Sequence, residues 1–271
     1  MSKTFKFGKN WKTFNLKSNL SHLEHSQKSL EDLIGKDVIR DKTVLDIGCG
    51  SGIHALSFLR AGAKYIKCLD LDPDAVDTTV NRLEVENSNK WSAQIANILD
   101  FKSNSHEFFD IVFSWGVLHH SGNLMLAINN SAGYCKDGGL LVLAIYRKTS
   151  LCSFWKIEKK IYNIVPSYFQ KMIDLIFACI FLFAKWAQGN TPRAFVKNYR
   201  LRRGMDFMTD IRDWLGGYPY ESASPATIHN FLTVRGFKLI KSNIRDKQFG
   251  FLGSGCNEYI YELQKESLLT K

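Results

Sequence analysis

The chain has 271 residues, 45% of them hydrophobic, and a formal net charge of +10. That is enough to bury a full core as one large domain with an insertion, and too apolar for a disordered chain. The six cysteines, Cys49, Cys68, Cys135, Cys152, Cys179 and Cys256, stand singly; lacking C-x-x-C or metal-ligand spacing, they argue against a zinc site or disulfide frame and for reduced thiols in a cytoplasmic protein.

In chain order, the start MSKTFKFGKNWKTF is basic and aromatic with no continuous apolar core, so no signal peptide is expected. Residues 5–34 read as a helical lead-in ending at Gly35, with Phe5, Phe7, Trp11 and Phe14 either covering a ligand mouth or packing on a sheet. Next comes Thr43 to Gly52, TVLDIGCGSG, a β-branched and apolar run that ends in an acid and a glycine-rich turn. It reads as a buried parallel strand, a loop that approaches a ligand closely at Gly48, Gly50 and Gly52, and a helix over Ile53 to Ala61. Asp46 discriminates between nucleotide ligands. A carboxylate at the strand end would repel the pyrophosphate of a dinucleotide, whereas the ammonium and sulfonium of S-adenosylmethionine would be attracted. The spacing G-x-G-x-G also lacks the third glycine of the dinucleotide fingerprint. The stretch resembles motif I of the class I S-adenosylmethionine-dependent methyltransferases.

Tyr65 to Leu69 reads as a second strand ending in Asp70, with Asp72 and Pro73 as cap and first turn of a helix. Asp70 stands about 20 residues past the glycine loop, the separation at which an acid accepts ribose hydroxyls. Trp91 to Ile95 is a weaker third strand, followed by Asn97 and Ile98. Phe109 to Ser114 is a fourth, running through Trp115 to His119 and His120; imidazoles there could take a proton from a methyl acceptor or cap a neighbouring helix. Asn123 to Cys135 reads as a helix, Gly138-Gly139 as a turn and Leu140 to Tyr146 as a buried fifth strand. Strands alternating with helices predict a doubly wound parallel sheet.

From Arg147 to Ser222 the pattern changes, and so long an interruption reads as a substrate lid. Its longest apolar run, Leu175 to Ala184, covers ten residues against the roughly 20 of a spanning helix, so no transmembrane segment is expected. Residues 171–188 are read as a helix that is either buried against the lid or a second copy, the preferred reading, or resting on a bilayer. DWLGGYPYE, Asp213 to Glu221, reads as a recognition loop offering Tyr218 and Glu221, with Arg203 upstream, to the acceptor. Residues 224–234 read as a helix, 237–244 as a sixth strand, Gly250 to Gly255 as a turn and 257–263 as a seventh strand.

The joint occurrence of FGKNWKTF, LDIGCGSG, LDLDPDAV, FDIVFSWGVLHH, LLVLAIYR, RGM, DWLGGYPYE and GCNEYIYEL resembles a largely uncharacterised bacterial group of class I methyltransferases. The resemblance implies an α/β, Rossmann-like seven-stranded sheet divided as follows: cap 1–36, S-adenosylmethionine-binding half 37–146, helical lid 147–222, and helix plus hairpin 223–271. It implies cofactor contacts from Asp46, Gly48, Cys49, Gly50, Gly52, Asp70, Leu71, Asn97, Ile98, Ser114 and Trp115, with the adenine amino group at Asn97. Catalytic candidates are His119, His120, Tyr218 and Glu221. The expected reaction is methyl transfer to an oxygen or nitrogen of a small anionic or sugar-related metabolite. The rivals are an RNA methyltransferase, since residues 150–271 hold 18 basic against 10 acidic side chains, and a non-catalytic cofactor-binding interaction protein. A homodimer and peripheral membrane contact through 171–188 stay open as partners.

Overall fold

The computed structural model describes residues 20–100, 107–203, 206–244 and 255–264. The clustered aromatics of residues 5–14, Gly204-Met205 and all but the last residue of the Gly250 to Gly255 turn fall outside those ranges, and nothing is described of the Arg203 side chain.

Strands β1 (Thr43–Ile47), β2 (Tyr65–Asp70), β3 (Trp91–Ile95), β4 (Phe109–Trp115) and β5 (Cys135–Tyr146) join β6 (Phe237–Asn243) and β7 (Cys256–Leu263) in a seven-stranded sheet of order β3-β2-β1-β4-β5-β7-β6. The first five are mutually parallel, while β7 runs antiparallel to both of its neighbours. Central β1 is a continuous apolar run broken only by Asp46, because the parallel core of the sheet is covered on both faces. On one face, α5 (Leu124–Ala132) and α10 (Pro225–Thr233) bury Ile128, Ile228 and Leu232 against Leu45, Val112 and Tyr261. On the other, α1 (Leu20–Ile34) and α3 (Ile53–Arg60) pack Leu30 and Phe58 against Val44 and Phe113, with Phe58 edge-on to Phe113 at 5.2 Å. Burying a side chain of that size contributes about 2–3 kcal/mol.

At the lower sheet edge, Asp110 accepts from the Thr43 backbone at 2.8 Å, the Thr43 hydroxyl at 2.6 Å and Lys136 at 3.0 Å. These bonds outweigh partial burial and hold the Asp110 carboxyl below its usual range, stapling β1 to β4 away from the ligand edge.

The glycines at 138 and 139 do not precede the fifth strand. β5 begins at Cys135, and the register with β4 jumps from Phe109↔Cys135 to Ile111↔Leu140, so Gly138, at φ +70°, sits in a bulge inside the strand. The preceding helix correspondingly stops at Ala132. A short helix, α2 (Lys36–Ile39), also follows Gly35; α4 (Pro73–Leu83) starts as expected, its Asp72 cap accepting from Asp74 N at 3.0 Å.

Between β5 and α10 run helices α6 (Cys152–Ile164), α7 (Ser167–Ala187), α8 (Pro192–Arg203) and α9 (Phe207–Gly216). They share a small core of their own, including Tyr162, Ala178, Tyr199, Phe207 and Leu215. α7 extends well beyond the ten-residue apolar run, and its 21 residues meet the length and composition of a membrane span with 11% of the tested window buried. Of the expected burial against the lid or a second copy, the chain itself supplies the first on one face of α7 only, and the other face is open.

Candidate active site

The ligand edge is built where β1, β2 and β4 end. Asp46 is 2% exposed, and its Oδ2 has no hydrogen-bond partner. Burial, reinforced by the charge of Asp70, pushes its carboxyl up to about 7. Gly48 follows at φ +80°, and a Cβ there would lie 2.4 Å from both γ-carbons of Val117, so only glycine lets the loop press against the turn after β4. The loop is held by Gly48 N and Cys49 N donating to Leu69 O, and by Gly50 N donating to Asp70 Oδ2 at 3.0 Å. The other oxygen of Asp70 accepts from Asp72 N at 3.0 Å. Burial raises the Asp70 carboxyl despite those bonds and the Leu71 backbone beside it, and a carboxylate with about four acceptor positions keeps capacity for a further donor. Leu71, 62% exposed, offers an apolar surface beside it.

This donor set fits S-adenosylmethionine: an unsatisfied buried carboxylate for a cation, an acid with acceptor capacity for hydroxyls, and an exposed apolar side chain. A pyrophosphate would meet Asp46 and Asp70 as like charges.

The roof is formed by the turn after β4. His119 is fully buried; its Nδ1 accepts from Tyr146 N at 3.3 Å, which leaves the proton on Nε2, an atom with no hydrogen-bond partner. Its ring lies on Tyr146, centroids 3.8 Å apart. His120 Nδ1 donates to Pro219 O at 2.7 Å. Burial drives both imidazoles down, His119 well below 6.5 and His120 to about 4, so both are neutral at pH 7. The segment after α9 is stitched over this turn: Glu221 N donates to His119 O at 2.9 Å, Ala223 N to Tyr146 O at 3.1 Å, and Lys148 N to Ala223 O at 3.1 Å. The Tyr218-Pro219 bond within it is cis.

Several predicted side chains are occupied elsewhere. Glu221 Oε2 accepts from Leu124 N at 2.9 Å and so caps α5. The Cys49 thiol is turned into the core, where Thr79 donates to it at 3.3 Å, leaving only its backbone to the loop. Asn97 closes a local turn, accepting from Leu99 N and donating to Asp100, and Ile98 is buried in the core with α5. The Ser114 hydroxyl is bonded to Ile47 O at 3.0 Å. Tyr218 is half-buried in the stitched segment.

Trp115 is half-buried and stacks on Phe113 at 5.6 Å, where it lines a cleft of about 580 Å³ between α1 and the β6–β7 hairpin. Lys28, Asp32, Lys241 and Glu258 also face that cleft. Lys241 was not anticipated, and it donates to the last carbonyls of α1 at Asp32 and Leu33. Lys159 is not among the residues expected at the site. It is fully buried, 4.0 Å over the Trp214 ring, and donates to Trp214 O; burial lowers it to about 7 against the pull of Glu158. The signal was present, since Trp155, Lys159 and Tyr162 fall at i, i+4 and i+7 on one helical stripe.

Residues 45–141 match the family model described as a methyltransferase domain. Over 105 residues the chain is 36% identical to the tRNA U34 carboxymethyltransferase of Methylococcus capsulatus, covering 38% of this chain and 31% of that protein. Over 121 residues it is 30% identical to the ubiquinone biosynthesis O-methyltransferase of Rhodopseudomonas palustris, covering 45% and 44%. The chain thus spans less than half the length of either curated relative. In structure it is similar to magnesium protoporphyrin IX methyltransferase from Synechocystis PCC 6803 with bound SAH, with a TM-score of 0.54 at 15% identity over 90% of this chain and 84% of that one; this likeness shows a shared fold. The strand order and the acid-led glycine loop give the chain the fold of the class I methyltransferases, and residues 45–141 within it match a methyltransferase domain.

Proposed function

We propose that the protein transfers the methyl group of S-adenosylmethionine to an oxygen or nitrogen of a small, ring-bearing and polar metabolite. The observation that carries this reading is the buried Asp46, its Oδ2 without a hydrogen-bond partner, heading a glycine loop that Asp70 ties to β2. When bound, S-adenosylmethionine supplies an electrophilic methyl on a sulfonium. Asp46 would hold the donor's ammonium, which in turn favours the ionised form of an acid otherwise pushed to about 7. Asp70 would accept the ribose hydroxyls. Because the sulfonium is a good leaving group, the remaining task is alignment in a dry pocket. His119 and His120, neutral and hydrogen-bonded to the backbone, shape the roof; neither is set up as a strong base. That suits an acceptor whose nucleophile ionises readily or carries a free lone pair. The cleft beside Trp115 supplies an aromatic wall with Lys28 and Lys241 nearby, in keeping with an anionic or sugar-related ring compound.

Titration calorimetry with S-adenosylhomocysteine and with NADH tests the donor site. Heat is expected for the first alone, and Asp70→Ala should raise its Kd about tenfold or more through lost charge-assisted hydrogen bonds. Tight NADH binding, or an unchanged Kd in Asp70→Ala, would overturn the assignment. Mass spectrometry of a metabolite extract incubated with the protein and isotopically labelled S-adenosylmethionine reads the transfer itself. Label found only in RNA would replace the small-molecule acceptor with a nucleic acid, and unchanged donor would point to a cofactor-binding protein without activity.

A further inference from the structure

The open face of α7 is an ordered apolar stripe. Tyr168, Met172, Leu175, Ile180, Phe183 and Trp186 recur at helical spacing and are each between 46% and 75% exposed. The neighbouring helix α6 carries a second stripe, with Phe154, Ile157, Ile161 and Ile164 exposed on successive turns. Exposed apolar surface on this scale marks an interaction site. We propose that this face docks in the plane of an anionic lipid bilayer.

Charge chooses the occupant. Residues 147–216 contain 13 basic and 5 acidic side chains, a net +8 out of the chain's +10. Lys156, Lys160 and Lys171 are exposed on the same two helices, with Arg193 and Lys197 exposed on α8. An aromatic and aliphatic stripe flanked by lysines is the pattern of a helix lying at a membrane interface, its basic groups reaching toward lipid phosphates. A second copy of the chain would bring the same exposed lysines to the interface, so self-association on this face is opposed by repulsion that a negatively charged membrane converts into attraction.

The covered face fixes the orientation. Asp174 on α7 is 3% exposed and accepts from Tyr162 Oη at 2.7 Å and from Arg212 Nε at 3.1 Å. Phe181 packs on Phe195 and Phe207, with ring centroids 5.8 and 5.9 Å apart. Crossing a bilayer would strip α7 from these partners and carry Asp174 into hydrocarbon, so the helix lies flat and keeps its inner face on the protein.

The test is flotation of the full chain with vesicles of 30% phosphatidylglycerol in phosphatidylcholine, alongside Ile180→Glu/Phe183→Glu. Both positions are exposed, so the variant should keep the wild-type melting temperature. Wild type should float with the anionic vesicles, bind pure phosphatidylcholine at least tenfold less, and be released by alkaline carbonate; the double variant should lose at least tenfold in partitioning. Failure of wild type to float, equal partitioning of the variant, or resistance to carbonate would each overturn the proposal. So would a concentration-dependent dimer in light scattering that the variant abolishes. Vesicle binding requires neither methyl donor nor acceptor, so its outcome is independent of the proposed reaction.

Discussion

Replacing Asp46 by Asn should stabilise the ligand-free protein above neutral pH while weakening its grip on a cationic donor. Burial first, and the nearby charge of Asp70 second, raise the Asp46 carboxyl from 3.8 to about 7. An acid raised in the folded state favours that state only while protonated. Its contribution is complete below 3.8, falls as pH climbs through about 7, and is flat above. At about 1.36 kcal/mol per pKa unit, the part lost between pH 5 and pH 8.5 comes to about 3 kcal/mol. The Asn variant has no such loss, so relative to wild type it should gain that amount across the interval, or about 6 °C in melting temperature. Thermal denaturation of both proteins at the two pH values reads the double difference, which cancels whatever the substitution does to packing. Equal effects at pH 5 and pH 8.5 would refute a raised Asp46. Undiminished affinity of the Asn variant for S-adenosylmethionine at pH 8 would refute its role as anchor.

Two further outcomes are expected. The imidazole Cε1–H resonances of His119 and His120 should stay fixed between pH 5.5 and 8, because burial holds His120 near 4 and His119 well below 6.5; a midpoint near 6.5 in either would contradict the sealed roof. Gly48→Ala sets a Cβ 2.4 Å from Val117 at φ +80°, and should cost about 2–4 kcal/mol from backbone strain and overpacking combined. Chemical denaturation checks this, an unchanged midpoint being the contrary result, and Val117→Ala in the same chain should restore part of the loss.

The sheet was legible because its signals are local. A β-branched run ending in Asp46 and glycines, or an Asp72-Pro73 helix start, needs no knowledge of distant residues. The bulge at Gly138 was missed because a glycine pair carries the same local preference in a turn as inside a strand, and only pairing with Phe109 and Ile111 decides between them. Asp46 and Asp70 could be placed from spacing, since the loop and β2 converge in every doubly wound sheet. Glu221 could not, because its partner at Leu124 lies 97 residues earlier and the contact depends on how the chain returns from the lid. Lys159 was not legible for a related reason: a lysine is normally solvated, and only Trp214, contributed by another helix, reveals that this one is enclosed.

The stitched segment has a consequence for traffic. Its bonds from Glu221 to His119 and from Ala223 to Tyr146 tie the inserted helices to the turn after β4 and to the end of β5. With that side tied down, the open approach to the sheet is the cleft beside Trp115, where α1 and the terminal hairpin stand apart.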